Sequence, residues 1–126
     1  MSLDALVGTW EIRTSYTEVP PGRVEFEWAL DGAFLLGRST MEKPFPNGLM
    51  VMTPTLQHYF DSRGVTRLYE MSIDGGTWTL TRDDPDPFPQ RFTGTFSPDG
   101  QTIDGVWEKQ DPDWQVDFTG TYTRIA

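Results

Sequence analysis

The stretch Gly8-Thr9-Trp10 stands at the start of the first strand-like run, and its counterpart Tyr122-Thr123-Arg124 lies near the other end of the chain. A Gly-x-Trp that opens a series of short strands, with an arginine closing the last, favours a meander rolled into a closed barrel. In such a barrel the Trp10 indole would lie at the floor, and the Arg124 guanidinium would cover it in a cation–π contact. We call Trp10 and Arg124 the structural floor pair. The pair predicts a closed barrel and says nothing about what the protein binds or catalyses.

Turn sequences recur at short intervals between strand-like runs. They fall at residues 20–22, 31–32, 44–48, 62–64, 74–76, 83–89, 98–100 and 111–113. Asp-Gly and Gly-Gly pairs are strong hairpin signals, because the tight turns between antiparallel strands need positive φ. The chain is therefore predicted to be all-β, a single antiparallel up-and-down meander of about nine strands closed into a barrel. Ser2 would cap a short N-terminal helical turn.

The runs between these turns alternate between apolar and polar residues. Val24, Phe26 and Trp28 share one face, while Glu25 and Glu27 share the other. Such alternation is typical of antiparallel strands with one face exposed to solvent. A two-sheet sandwich explains it equally well. Closure into a barrel is inferred from the two chain ends and from four glycines inside strand runs, which often mark tight bends (Gly37, Gly94, Gly105 and Gly120).

Size and charge narrow the classes of protein and partner. The 126 residues are expected to form one domain, residues 1–126, with a formal net charge of -9. Nucleic acid and anionic membrane surfaces are poor partners for such a charge. The first residues lack the basic and apolar regions of a secretion signal, so we expect a cytoplasmic protein, either a monomer or a homodimer. Cysteine is absent from the sequence, which excludes disulfides and thiolate chemistry.

The sequence resembles the calycin superfamily of lipocalins and fatty-acid-binding proteins, in particular small uncharacterised bacterial lipocalin-like proteins. The resemblance is carried by the two end triplets, the Asp-Gly hairpins and three inner stretches: Tyr59-Phe60-Asp61-Ser62-Arg63-Gly64-Val65, Gln90-Arg91-Phe92-Thr93-Gly94 and Gly105-Val106-Trp107-Glu108. It implies a lumen that opens opposite the Trp10–Arg124 floor. It does not transfer a substrate, since members of the superfamily carry retinoids, fatty acids or haem. One group, the nitrobindins, holds haem through a histidine near the C-terminus. The single histidine here, His58, is mid-chain, so no cofactor is expected.

The leading functional hypothesis is non-catalytic binding of a small hydrophobic or amphipathic ligand in the lumen. Arg38 follows Phe34 and Leu36 on one face of its strand, and Arg82 follows Trp78 and Leu80. Inward guanidinium groups would suit an anionic head group. Pairing with buried glutamates, or a position at the rim with the charge in water, are open alternatives.

Further wall contacts are assigned to Trp28, His58 and Tyr69. If His58 faces inward, it could serve as the base of a cofactor-independent isomerase or hydrolase, which is the alternative function. A hydrogen-bonded structural histidine is the simpler interpretation. A third hypothesis is a filled barrel with a structural or interaction role. The inward faces of the third and fifth predicted strands stay undetermined, and the roles of Arg38 and Tyr69 depend on them.

The apolar segment from residue 41 to residue 54 is long for a hairpin connection. Its Phe45, Met50 and Met52 are predicted to form a portal loop over the mouth, because methionines adapt to varied partners. A loop anchored in the core, or a dimer contact, are the alternatives. No metal site is expected, since one histidine without clustered partners cannot hold a transition metal. Asp83, Asp84 and Asp86 are interpreted as an exposed acidic turn.

Overall fold

The computed structural model describes residues 2–43, 45–82 and 89–125. These ranges contain a 3-10 helix, Leu3–Leu6, and ten β-strands. The strands are β1 (Gly8–Thr14), β2 (Gly22–Ala29), β3 (Phe34–Thr40), β4 (Gly48–Met52), β5 (Leu56–Asp61), β6 (Thr66–Asp74), β7 (Thr77–Arg82), β8 (Gln90–Phe96), β9 (Thr102–Gln110) and β10 (Trp114–Arg124).

The strands form one closed antiparallel barrel. Each pairs with its neighbour in sequence, and β10 pairs with β1, where Trp10 lies opposite Arg124. This confirms the predicted meander, its closure and the N-terminal helical turn. The described part of the chain has ten strands instead of about nine because residues 53–55 form an additional turn between β4 and β5. The Thr53 hydroxyl accepts hydrogen bonds from the backbone N–H groups of Thr55 and Leu56, at 3.3 Å and 3.0 Å, a local turn that hydroxyl side chains favour.

The N-terminal 3-10 helix closes one end of the barrel, which we call the floor. The Ser2 hydroxyl accepts from the Asp4 backbone N–H at 3.2 Å. Leu6 is fully buried, and its carbonyl accepts from the Trp10 indole N–H at 2.8 Å. The Arg124 guanidinium carbon lies 4.1 Å from the centroid of the Trp10 ring, and Nη2 donates to the Ala5 carbonyl at 2.9 Å. Helix, indole and guanidinium therefore form one connected unit at the floor.

Above the floor, aromatic rings fill the lower barrel. Trp78 packs edge-on against Phe92, with 4.9 Å between ring centroids, and against Phe26 at 6.2 Å. Phe92 lies against Gly105, where a Cβ atom would come within 2.6 Å of its ring. Glycine at residue 105 thus provides the space for the Phe92 ring on the barrel wall.

Candidate ligand-binding cavity

A cavity of about 870 Å³ lies in the barrel and extends to the end opposite the floor, which we call the mouth. Ligand pockets in proteins occupy roughly 300–1,000 Å³, so this volume suits a small molecule and disfavours the filled-barrel hypothesis. Its lining comes from all parts of the barrel wall and from the mouth connections: Ile12, Thr14, Tyr16, Glu18, Val19, Val24, Phe26, Ser39, Met41, Lys43, Phe45, Pro46, Met50, Gln57, Tyr59, Arg63, Arg67, Tyr69, Trp78, Leu80, Gln90, Phe92, Trp107, Phe118 and Tyr122.

One wall of the cavity is aromatic. Trp107 on β9 is its centre, with ring centroids 5.0 Å from Phe92, 5.8 Å from Tyr69 and 6.4 Å from Phe118. The alternation of β6, β8 and β10 directs these neighbours inward. Packed rings of this kind lose little conformational entropy when a ligand binds and offer a broad apolar surface.

A polar cluster lies on the same wall towards the mouth. The Gln90 Oε1 atom accepts from the Tyr69 hydroxyl at 2.9 Å and from Arg67 Nη1 at 3.0 Å. Arg82 stands opposite Gln90 in the register of β7 and β8. Burial lowers the pKa of Arg82, and the nearby positive charge of Arg67 lowers it further. Burial raises the pKa of the Tyr69 hydroxyl. The cluster therefore brings two guanidinium groups and a neutral hydroxyl together near the mouth.

A second group of polar side chains fixes the turn between β5 and β6. The carboxylate of Asp61 is fully covered and accepts from the Tyr59 hydroxyl at 2.8 Å and from Arg63 Nη2 at 2.7 Å. The hydrogen bond from Arg63 holds the pKa of Asp61 well below its usual range, while burial raises the pKa of Tyr59. These bonds place Arg63 beside the mouth of the cavity.

Three aromatic rings from different elements meet at the mouth. The Phe45 ring, in the β3–β4 connection, lies 5.6 Å from Tyr16 and 6.0 Å from Phe118 between centroids. Tyr16 and Phe118 are 5.8 Å apart. We call these three rings the mouth cluster. All three rings line the cavity at this end, and the portal role of Phe45 stays a prediction.

The prediction that Arg38 and His58 face the lumen is wrong. Arg38 is exposed on the outer side of β3, and its Nη1 lies 2.7 Å from Glu27 Oε1 in an ion pair with both side chains more than half exposed. His58 is exposed on the outer side of β5. The register explains this, since its neighbour Gln57 pairs with Tyr69 and Met52, which are both buried. The apolar side chains Leu56 and Phe60 on the His58 face therefore point outward.

The prediction that Trp28 contacts a ligand on the barrel wall is also wrong. It lies on the same face of β2 as Val24 and Phe26, as the alternation predicted, but at the floor end of the strand, outside the cavity lining. Its side chain is 40% exposed, and its indole N–H donates to Asp4 Oδ1 at 2.8 Å. Trp28 therefore supports the N-terminal helix and does not contact the cavity.

The predicted portal loop is shorter than the sequence suggested. Met50 and Met52 belong to strand β4, whose alternation turns both side chains inward. Met50 lines the cavity, whereas Met52 is fully buried in the core. The apolar character of the segment reflects an inward-facing strand, and of the three predicted portal residues only Phe45 lies in the connection.

Tyr69 lines the cavity, as predicted. Arg82 shares a face of β7 with Trp78 and Leu80, but it is not among the cavity-lining residues. Sequence reasoning missed their partners Arg67 and Gln90. A usable signal existed for Arg67, because Arg67 and Tyr69 are two residues apart and so share a strand face. Gln90 carried no such signal, since a single polar residue at a strand start is commonly exposed.

Several expectations concern residues outside this cavity. Asp83, Asp84 and Asp86 lie outside the described residues. Within the described ranges, no group of three or more His, Asp or Glu side chains is arranged to hold a metal ion. No helix in the part of the chain that the structure describes is long and apolar enough to cross a membrane.

Comparison with known proteins shows the fold and no more. No family model matches the chain, and no curated protein matches it. Among solved structures, fatty-acid-binding protein 1 of Echinococcus granulosus matches with a TM-score of 0.71 at 12% sequence identity, over 98% of this chain and 100% of that one. The protein thus has the same closed-barrel fold as that structure, and this is the fold that the resemblance noted in its sequence implied.

Proposed function

We propose that this protein binds a small amphipathic molecule without catalysis, holding its apolar body against the aromatic wall and its anionic head at the polar cluster. The observation that carries the proposal is one cavity whose lining combines both surfaces, with Trp107 at the centre of the aromatic wall and Arg67 hydrogen-bonded to Gln90 towards the mouth. Arg82 is not a lining residue and stands next to this cluster, opposite Gln90 in the strand register. The name of the solved neighbour, a fatty-acid-binding protein, supports a ligand of this class.

Electrostatics favour an anion at the polar cluster. Two like charges at short distance raise each other's free energy, and partial burial adds a desolvation cost. An anionic head group beside Arg67 would offset part of both costs, in addition to the interactions that the two guanidinium groups already make. Charge-assisted hydrogen bonds from guanidinium to carboxylate or phosphate are also about twice as strong as neutral ones. Tyr69 adds a hydroxyl at the same place, 2.9 Å from the Gln90 oxygen.

The lower cavity suits an apolar body. Trp107, Phe92 and Leu80 present aromatic and aliphatic surface, and Met50 stands on the other side of the barrel. Burying apolar surface contributes about 25 cal/mol per Å². The flexible methionine lets this site accept ligands of varied shape.

The test compares a carboxylate with the alcohol of the same chain length. Isothermal titration calorimetry and native mass spectrometry with dodecanoate and dodecanol measure the preference for the anion. We expect the wild type to prefer dodecanoate, and the Arg67→Gln and Arg82→Gln variants each to reduce that preference by about tenfold, the value of one charge-assisted hydrogen bond.

Arg38→Gln is the matched control, because it removes the same charge from the outer surface. It should leave the preference unchanged. Absence of binding to either compound would contradict the proposal, and so would an equal loss in the Arg38→Gln control. The alternative of an enzyme with His58 as base in the lumen is not proposed, because His58 is exposed on the outside of β5.

A further inference from the structure

We infer that the cavity contains a second polar site at its deep end, where the Trp78 indole N–H and the Tyr122 hydroxyl bind an uncharged oxygen of the ligand. The inference rests on the proposed function and specifies the ligand further. It assigns to the ligand two polar groups, an anionic head at the mouth and a carbonyl, ether or hydroxyl oxygen at the far end.

The first observation is a buried donor without a partner. Trp78 is 3% exposed and lines the cavity, and its Nε1 atom has no hydrogen-bond partner among the described residues. Nearly all buried polar groups in proteins are hydrogen-bonded, and leaving one unpaired is unfavourable. A ligand oxygen in contact with Nε1 would recover this cost. The Nε1 atom is itself covered, so contact with a ligand oxygen requires the indole to rotate towards the cavity that it lines.

The second observation is the neighbouring phenol. The ring centroids of Tyr122 and Trp78 are 6.1 Å apart, and both residues line the cavity. The hydrogen bonds among the described residues do not include the Tyr122 hydroxyl. Burial raises the pKa of Tyr122 to about 12, so the hydroxyl stays protonated and available as a donor at neutral pH. Two uncharged donors on neighbouring rings suit a neutral acceptor oxygen.

The position of this site sets the spacing of the two polar groups in the ligand. Trp78 and Arg82 lie on the same face of β7, four residues apart, with Trp78 towards the floor and Arg82 towards the mouth. A strand rises about 3.3 Å per residue, so the Cα atoms of these two residues are roughly 13 Å apart along the wall, and we take this as the approximate spacing of the two sites. A carboxylate at the mouth would therefore be accompanied by a neutral oxygen at about this distance. A plain saturated acid lacks that oxygen.

The test uses dodecanoate with and without a hydroxyl at its terminal carbon. Calorimetry gives the affinity of the wild type, Tyr122→Phe and Trp78→Phe for both compounds. We expect the wild type to bind ω-hydroxydodecanoate at least as tightly as dodecanoate. Tyr122→Phe should weaken the hydroxylated compound by about five- to tenfold, the value of one neutral hydrogen bond, and change dodecanoate by less than about twofold.

Tyr16→Phe is the matched control, since it removes a hydroxyl from the mouth cluster and should affect both compounds equally. Circular dichroism establishes that each variant is folded, and the smaller Tyr122→Phe change keeps the test available if Trp78→Phe is unstable. If Tyr122→Phe weakens both compounds equally, or if the wild type binds the hydroxylated compound far more weakly, the second site is refuted while anion binding stands. If neither compound binds, the proposed function fails as well.

Discussion

Removing the Trp10 indole should destabilise the protein strongly and leave ligand binding intact. Trp10 has no exposed surface, and truncation of a buried tryptophan to alanine costs about 3–5 kcal/mol. The change also removes the donor that lies 2.8 Å from the Leu6 carbonyl, and leaving such a group unpaired costs about 1–3 kcal/mol. These contributions overlap, so we expect Trp10→Ala to lower the free energy of unfolding by about 4–5 kcal/mol.

Urea and thermal unfolding followed by circular dichroism measure this loss. For a chain of this size it corresponds to a decrease in melting temperature of more than about 10 °C. The affinity for dodecanoate at low temperature should not change, because Trp10 belongs to the floor and is not among the cavity-lining residues.

Trp28→Ala is the matched control at the same end of the barrel. Its side chain is 40% exposed and makes one exposed hydrogen bond, to Asp4, so the expected loss is about 1 kcal/mol. The interpretation of Trp10 as a closure residue would be refuted by a Trp10→Ala protein that loses no more stability than Trp28→Ala. A folded variant with altered ligand preference would refute it equally.

Three further changes test other parts of the structure. Gly105→Ala should lower the free energy of unfolding in urea by about 1–3 kcal/mol, because the added Cβ would come within 2.6 Å of the Phe92 ring. Gly120→Ala is the control and should be tolerated, because the nearest atom to its added Cβ is 3.8 Å away. Equal losses in the two variants would contradict this packing argument. Asp61→Asn should destabilise the protein at pH 7, and the difference from wild type should shrink as the pH falls below about 4. The pKa of Asp61 is lower in the folded protein than its ordinary value of 3.8, so the ionised carboxylate stabilises the fold fully above pH 3.8, and this stabilisation is lost as the pH falls towards the folded pKa. A stability difference that does not change with pH would contradict this. Phe45→Ala should accelerate ligand dissociation by about tenfold in stopped-flow fluorescence, since it removes two aromatic contacts of the mouth cluster worth about 0.5–1.5 kcal/mol each; an unchanged rate would exclude a portal role.

The fold could be predicted from the sequence because its signals are local and repeated. Turn sequences separate the strand-like runs, three of them with Asp-Gly (residues 31–32, 74–75 and 99–100), the runs alternate with period two, and each hairpin can form between neighbours in the chain. The missed turn at residues 53–55 shows the limit of this reasoning. It depends on a hydroxyl–backbone interaction of Thr53, which has no strong composition signal.

The inward faces of individual strands were harder to predict. In β5 the outward face carries Leu56 and Phe60, whereas the inward face carries Gln57 and Tyr59. The more apolar face of this strand is therefore the outer one, opposite to what apolar content predicts. The inward face is fixed only by the pairing of Gln57 with the buried Met52 of β4 and the buried Tyr69 of β6. A shift of one residue exchanges every side chain between the two faces of a strand. When the inward face of a strand is assigned wrongly, every site residue placed on that strand is therefore assigned wrongly too, as His58 was.

Under the proposed function, the floor of the barrel would serve stability and the mouth would serve recognition of an anion, and the charge of the protein is compatible with that division. The protein carries a formal charge of -9, so its overall field repels an anionic ligand. At physiological ionic strength that field is screened within about 8 Å, whereas charges in contact inside a partly buried site are screened much less. Arg67 and Arg82 can therefore select an anion only by direct contact at the cavity, and not by long-range attraction. Selectivity of this kind requires rigid placement of the cation. Arg67 donates to Gln90 Oε1, and the Tyr69 hydroxyl donates to the same oxygen and so helps to hold Gln90 in place. The floor contributes that rigidity through barrel closure, so Trp10 and Arg124 act on recognition only by keeping the barrel closed.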